Sequence, residues 1–327
     1  MTLRLNGSAI SGSAIGALLV GAVLVTAVAA EPGLFESRQL TPSREYTFGI
    51  EGPAVDGTGT LYVVNHLKQG TIGKVNPGAP NSETFAELPA GSVGNAIRFS
   101  RDGRMYVADY KNHNVFVFER GQNEPRVYFH SDQFNQPNDL TIAADGTIYA
   151  SDPHWKRHDG QVWRIRRGPD GNGVGEVMSS ARKMSTTNGI DLSPDGKTLY
   201  VGESDTREIW AYRLDGALLA AQRLIRKFSD FSIDGLRTDI DGRILVARIL
   251  KGTVAVLSPD GKIEREVILK AKEPTNLAFG GPDGKTVYVT QRQGGFIESF
   301  RVDRPGREYC LQMTDTAATS CRPLKGS

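Results

Sequence analysis

A single register recurs through this chain and limits what it can fold into. Short alternating apolar runs flank Asp-Gly pairs at Asp102-Gly103, Asp145-Gly146, Asp195-Gly196, Asp241-Gly242 and Asp283-Gly284, with Thr58-Gly59 as a looser copy. Each reads as strand, tight turn, strand. Seven residues before each turn stands a side chain with a terminal oxygen: Glu51, Asn95, Asn138, Asn188, Asp234 and Asn276. The steps between them are 44, 43, 50, 46 and 42 residues, a period that belongs to solenoids, arrays or propellers.

Within each period the hairpin is followed by a third alternating stretch, such as Asn114–Phe118 or Thr253–Leu257, and then by a looser fourth, such as Arg126–Phe129, Glu176–Ala181 or Ile263–Leu269. Four short antiparallel strands make a propeller blade, so the pattern predicts an all-β, six-bladed β-propeller over residues 31–309. The sixth repeat has no clear fourth strand; Leu34–Leu40 or the cysteine-bearing tail could supply it and close the ring. The Ala- and Leu-rich stretch Leu214–Phe228 reads as a loop leading into an outer strand.

The ends differ from this pattern. Residues 1–30 carry one charge, Arg4, and an apolar or small run from Ala14 to Ala30 with small residues at a cleavage position, which predicts a secretory signal peptide; an uncleaved membrane anchor is the alternative. Export makes the protein periplasmic or secreted, with no membrane partner once the leader is removed. The only cysteines, Cys310 and Cys321, lie in the tail 310–327. In an oxidising compartment they suit a local disulfide, and with no histidine nearby they do not suggest zinc or a catalytic thiol.

Charge and motif limit the function. A formal net charge of +2, with acids and bases interspersed, offers no clustered basic face for nucleic acid. No Gly-x-Ser-x-Gly elbow supports a serine hydrolase. In a propeller the inner strands line a central channel, so the six oxygen-bearing side chains form a ring. Carboxylates and amide oxygens converging on one axis suit calcium, which takes six to eight oxygen ligands; the absence of histidine and cysteine argues against zinc or copper. On this ground Glu51, Asn188 and Asp234 are the first candidates for metal ligands, with Asn95 and Asn276 held more loosely. His66, His113 and His154 each follow a second strand and are candidate proton carriers on loops. Trp155 is a candidate pocket floor, while Trp163 and Trp210 read as blade packing, and Glu203 and Asp205 as loop charges.

The segments Glu51-Gly52-Pro53-Ala54-Val55-Asp56, Pro137-Asn138-Asp139-Leu140, Thr187-Asn188-Gly189 with Ser193–Val201, and Ile233-Asp234-Gly235 resemble motifs of the regucalcin/gluconolactonase family, in the family's order and over nearly all of the chain after the leader. The resemblance implies a six-bladed propeller with calcium in its channel and hydrolysis of a lactone or related ester. It also implies Glu51, Asn188 and Asp234 as direct ligands, Asn138 beside the metal and touching substrate, and Asp234 as base or nucleophile. Animal sugar-lactonase members carry arginine two residues before the third-blade asparagine, where this chain has Gln136. Ser151-Asp152-Pro153-His154-Trp155 is more similar to bacterial gluconolactonases. The reading from another class is a non-catalytic binding propeller whose ion stiffens the channel. A pocket open to water distinguishes the enzyme from a plugged binder.

Overall fold

The computed structural model describes residues 33–313 and Cys321, so the leader expected over residues 1–30 lies outside the described residues. Six four-stranded antiparallel sheets follow one another along the chain, the fourth with one short extra strand, Ser179–Ser180. This is the six-bladed propeller that the register predicted. The inner strands are Tyr46–Val55, Gly94–Phe99, Leu140–Ile142, Thr187–Leu192, Leu236–Thr238 and Pro274–Gly280. Each turns back through its hairpin because the turn glycine takes a positive φ, +89° at Gly59, +83° at Gly103 and +70° at Gly196, where other residues are strained.

Alternation on both faces of every blade explains the core. Tyr106, Val115 and Val117 of blade 2 pack against Leu140, Ile148 and Trp163 of blade 3, and comparable clusters fill the gaps between other neighbouring blades. No single blade can cover its own apolar faces, so the ring must close. It closes through Arg38–Gln39, which pairs with Phe296–Arg301 in the register Arg38↔Ser299 and Gln39↔Glu298, while Leu34 bridges Arg301. The N-terminal candidate is therefore the closing strand, and the tail is not.

Two expectations need correction. Leu218–Lys227 is a ten-residue strand rather than a loop with a late strand, because Glu208–Asp215 extends to a turn at Gly216 (φ +59°) and pairs along its length. The fourth strand of blade 3 is Gly173–Val177, earlier than Glu176–Ala181, since Gly173 and Gly175 let it pass under Phe129.

The hairpin end of the channel is closed by charge. Asp139 is fully buried and receives Arg98 Nη2 at 2.8 Å and Arg237 Nη1 and Nη2 at 2.9 Å each. Burial raises its proton affinity, and the Arg98 charge opposes that. Beneath them the short helix Arg307–Gln312 brings Glu308 within 3.5 Å of Arg98 Nε and Arg307 onto Asp191 at 2.6 Å. Cys310 of this helix is disulfide-bonded to Cys321. Asp139→Ala leaves two guanidiniums buried without their shared partner and is expected to cost about 3–5 kcal/mol. Denaturant unfolding measures this, and a change under about 1 kcal/mol would refute the hub's structural weight.

Candidate functional site

Above this hub the inner strands begin, and there the ring of oxygen-bearing residues assembles. The strands are bulged at these positions: pairing shifts between Glu51 and Ala54, Gly94 and Ala96, Thr187 and Ile190, and Pro274 and Leu277. A bulge bends its strand and re-aims the adjacent side chain. It also adds a residue to the period of two, so that Arg98 and Asp191, three after Asn95 and Asn188, join the buried channel network below, which Arg237 joins from blade 5 without a bulge.

Close approach of the strands depends on glycine. A Cβ on Gly52 would lie 2.4 Å from the Asn95 carbonyl oxygen, and one on Gly189 would lie 2.5 Å from that of Asp234. The Glu-Gly and Asn-Gly pairs thus let the backbone carrying one site residue pass against the backbone carrying the next. Gly235 serves in the same way, donating its N–H to Thr275 O at 2.8 Å, while Asp234 N–H bonds Ala247 O at 3.0 Å within its own blade.

Glu51, Asn95, Asn138, Asn188 and Asp234 line one cavity of about 540 Å³, open on the face opposite the hairpins. Asn188 Nδ2 donates to Ser204 Oγ at 3.0 Å, and Ser204 Oγ donates to Ile233 O at 2.8 Å, which fixes the amide between blades. Asn188 Oδ1 and Asn138 Oδ1 are buried and have no hydrogen-bond partner among the described residues. Glu51 is buried, and its Oε2 accepts from Gly52 N–H at 2.8 Å. Burial, then the Asp234 charge, pushes the Glu51 carboxyl well above the carboxylate range. Burial likewise pushes Asp234 up to about 7, against hydrogen bonding from Asn188 and the charge of Arg292.

Two carboxylates and two orphaned oxygens meet here, with Arg292 as the one cation among the described lining residues. No cluster of three or more His, Cys, Asp or Glu side chains suited to a metal occurs among the described residues. The set here is two carboxylates with amides, the composition of an oxygen-only site for a hard cation.

Other expected residues fall outside the cavity wall. Asn276 lies beneath, donating to Asp139 Oδ2 at 3.3 Å and interacting with Glu51, so it links the ring to the hub. His66 is buried, with Nδ1 3.0 Å from Thr84 Oγ1 and its ring edge-on to Tyr46. His154 accepts the Arg157 N–H at 3.1 Å and caps a short turn; His113 has a positive φ in its loop. None of these three histidines lines the cavity, whereas Trp155 does. Trp163 is core, with Nε1 donating to Asp152 at 3.0 Å, and Trp210 is half-buried under Arg182.

Of the two expected loop charges, Asp205 is one, in the turn after the strand Thr198–Glu203, and Glu203 is not. Glu203 is fully buried and paired with Arg182, whose Nη2 lies 3.0 Å from its Oε2. Asp205 lines the cavity and meets His158 Nδ1 at 2.7 Å. Phe48, Tyr110, Gln136 and Arg292 also line it. Phe48 and Arg292 were missed because they stand outside the seven-residue register. Nothing in the register marked either one, and the exposure of Phe48 is a property of the fold.

Residues 50–293 match the family described as the SMP-30/Gluconolactonase/LRE-like region. The chain belongs to that family. It is 26% identical to a gluconolactonase of Zymomonas mobilis over 62% of this chain and 63% of that protein. It is 33% identical to a 6-deoxy-6-sulfogluconolactonase of Pseudomonas putida over 46% of this chain and 55% of that protein. The matches thus span less than two thirds of either relative. Among solved structures, the calcium-binding protein regucalcin of Agrobacterium tumefaciens superposes with a TM-score of 0.69 at 19% identity, covering 84% of this chain and 96% of that one. That likeness is one of fold.

The glycine packing gives a direct test. Gly189→Ala forces apart two strands that carry site residues and is expected to destabilise by about 1–3 kcal/mol, as overpacking does. Gly57→Ala, where a Cβ meets nothing within 4 Å, should change stability by no more than about 0.5 kcal/mol. Equal unfolding midpoints for the two variants would contradict this account.

Proposed function

We propose that this protein hydrolyses a lactone or related ester in a calcium-dependent reaction. The observation that carries the reading is the meeting of Glu51 and Asp234 with the unpartnered Oδ1 atoms of Asn138 and Asn188, on the wall of an open cavity. Glu51, Asn188 and Asp234 would hold the cation, with Asn138 binding it directly or through water. Calcium in such a site supplies Lewis acidity at the substrate carbonyl oxygen.

The remaining chemistry belongs to the chain. Asp234 either takes a proton from the attacking water or attacks the carbonyl carbon itself, and water then releases the acyl group. In both cases the ring C–O bond breaks, the ring oxygen gains a proton, and the product is a hydroxy acid. Asn188 and the backbone bonds at Asp234 hold that carboxylate in place, and Asn138 positions the substrate. Family membership and the relatives' names support a lactone. The binding-propeller alternative calls for a plugged channel, and the plug here closes the hairpin end alone. We also place the protein outside the cytoplasm, on the composition of residues 1–30 and the Cys310–Cys321 disulfide. A cytoplasmic protein with an intact leader by mass would overturn that.

Assay of a lactone and ester panel should show turnover with calcium, its loss in chelator and its return on adding calcium. The cation should also raise thermal stability, by about 2.7 kcal/mol at a hundredfold excess over its Kd. Turnover indifferent to chelator would sink the calcium dependence. Asp234→Asn should lower activity at least ~10²-fold, the low end for loss of a proton-transfer group, while calcium affinity falls less. Glu51→Gln should instead lose affinity first and regain much of its activity at high calcium. Full activity in Asp234→Asn would leave Asp234 a ligand only.

A further inference from the structure

Arg292 is the cation of the cavity wall: among the described lining residues there is no lysine, histidine or second arginine. It follows the second strand of blade 6, Thr286–Gln291, at a place where the strand pattern asks only for a loop residue. Its side chain is held from two sides. The guanidinium carbon lies 4.6 Å from the centroid of the Phe48 ring, and Nε donates to Glu273 Oε2 at 3.2 Å. The backbone N–H of Arg292 bonds the Glu273 carbonyl at 2.9 Å, so the pair is anchored at both ends. Nη1 and Nη2 have no hydrogen-bond acceptor among the described residues.

An arginine ordered in this way, with its terminal fork free, is arranged to receive a two-oxygen anion. It lines the same cavity as Asp234. Phe48, 69% exposed, and Trp155, 38% exposed, add apolar surface to the same wall, which water covers poorly and a ring covers well. Neutral sugar lactones use neither feature fully.

We infer that Arg292 is a specificity-determining residue of this site, which takes a lactone bearing a carboxylate or sulfonate and rests its ring against Phe48 and Trp155. The reaction rests on the lactone-hydrolase reading above, whereas the anion subsite rests on the Arg292 geometry alone.

Initial rates on a matched pair of five-membered lactones, one with an acidic substituent and one with its amide, test the choice of substrate. Wild type should favour the acid in kcat/KM by about 10- to 100-fold, the range for a hydrogen-bonded charge, with the difference in KM and reduced by added salt. Carboxylate and sulfonate versions show which anion is preferred. Arg292→Gln should abolish the preference, and Arg292→Lys should keep part of it. A variant that slows both substrates equally, as a structural role would, overturns the inference. A second arm needs no turnover: calorimetry of cyclohexanesulfonate, a poor cation ligand, against its neutral sulfonamide, with calcium present. Wild type should bind the sulfonate at least 10-fold more tightly than Arg292→Gln does. Sulfonate binding that depends on Arg292 without lactone turnover would leave the anion site standing and remove the hydrolase reading. Equal binding of the two probes by wild type would remove the anion site whatever the rates.

Discussion

The buried carboxylate of Asp139 is the constraint on which the rest of the channel depends. A charge withdrawn from water must be paired and hydrogen-bonded, and Asp139 is met by arginines from blades 2 and 5 and by Asn276 from blade 6. Glu308 approaches the same arginines from below, at 3.5 Å from Arg98 Nε and 4.0 Å from Arg237 Nε. Two cations and two anions thus balance, and Arg307 with Asp191 makes a further balanced pair. Glu51 and Asp234 have no ion pair of that kind among the described residues, and the cation of their cavity wall, Arg292, is paired with Glu273.

Rigidity at the floor and variety at the rim follow from the same architecture. Site residues stand on the inner strands or just before them, where the backbones touch through Gly52, Gly189 and Gly235, so their spacing is set by backbone contact rather than by long side chains. The rim comes mostly from segments with fewer constraints, Trp155 and Asp205 after second strands and Arg292 in a tight turn, with Phe48 near the start of the first inner strand. Sites held on rigid elements keep their geometry, and loops carry what differs between substrates. The floor therefore suits chemistry shared across a family, and the rim suits the choice of substrate.

The helix Arg307–Gln312 gives the C-terminal segment a structural task. It lies across the hairpin ends, with Arg307 on Thr141 and Asp191, Tyr309 against Gly284, and Gln312 donating to Val55 O at 3.0 Å. Hairpin ends from four blades are joined by one turn and a half of helix. The strand Arg38–Gln39 joins first blade to last, so both termini of the described ring act in closing it.

What the sequence determined by itself was whatever repeats. The Asp-Gly register fixed the number of blades, the order of strands and the ring of Glu51, Asn95, Asn138, Asn188 and Asp234, because a six-fold fold writes each local choice six times. The second ring, Arg98, Asp191 and Arg237, three residues on, was not read from the sequence, because strand alternation alone does not place those side chains in the channel. Features that occur once were decided by tertiary structure. Asn276 and Asn138 share a register position, yet one bonds the hub and the other faces the cavity, since neighbouring blades leave different space. His66 looks like a loop histidine until Tyr46 and Thr84 are folded over it, and Asp205 looks like a surface charge until blade 3 brings His158 and the cavity to it. Arg292 and Phe48 lie 244 residues apart and become neighbours only when the last blade closes on the first. Periodicity records the local pattern of a strand, and ring closure decides which unlike residues meet.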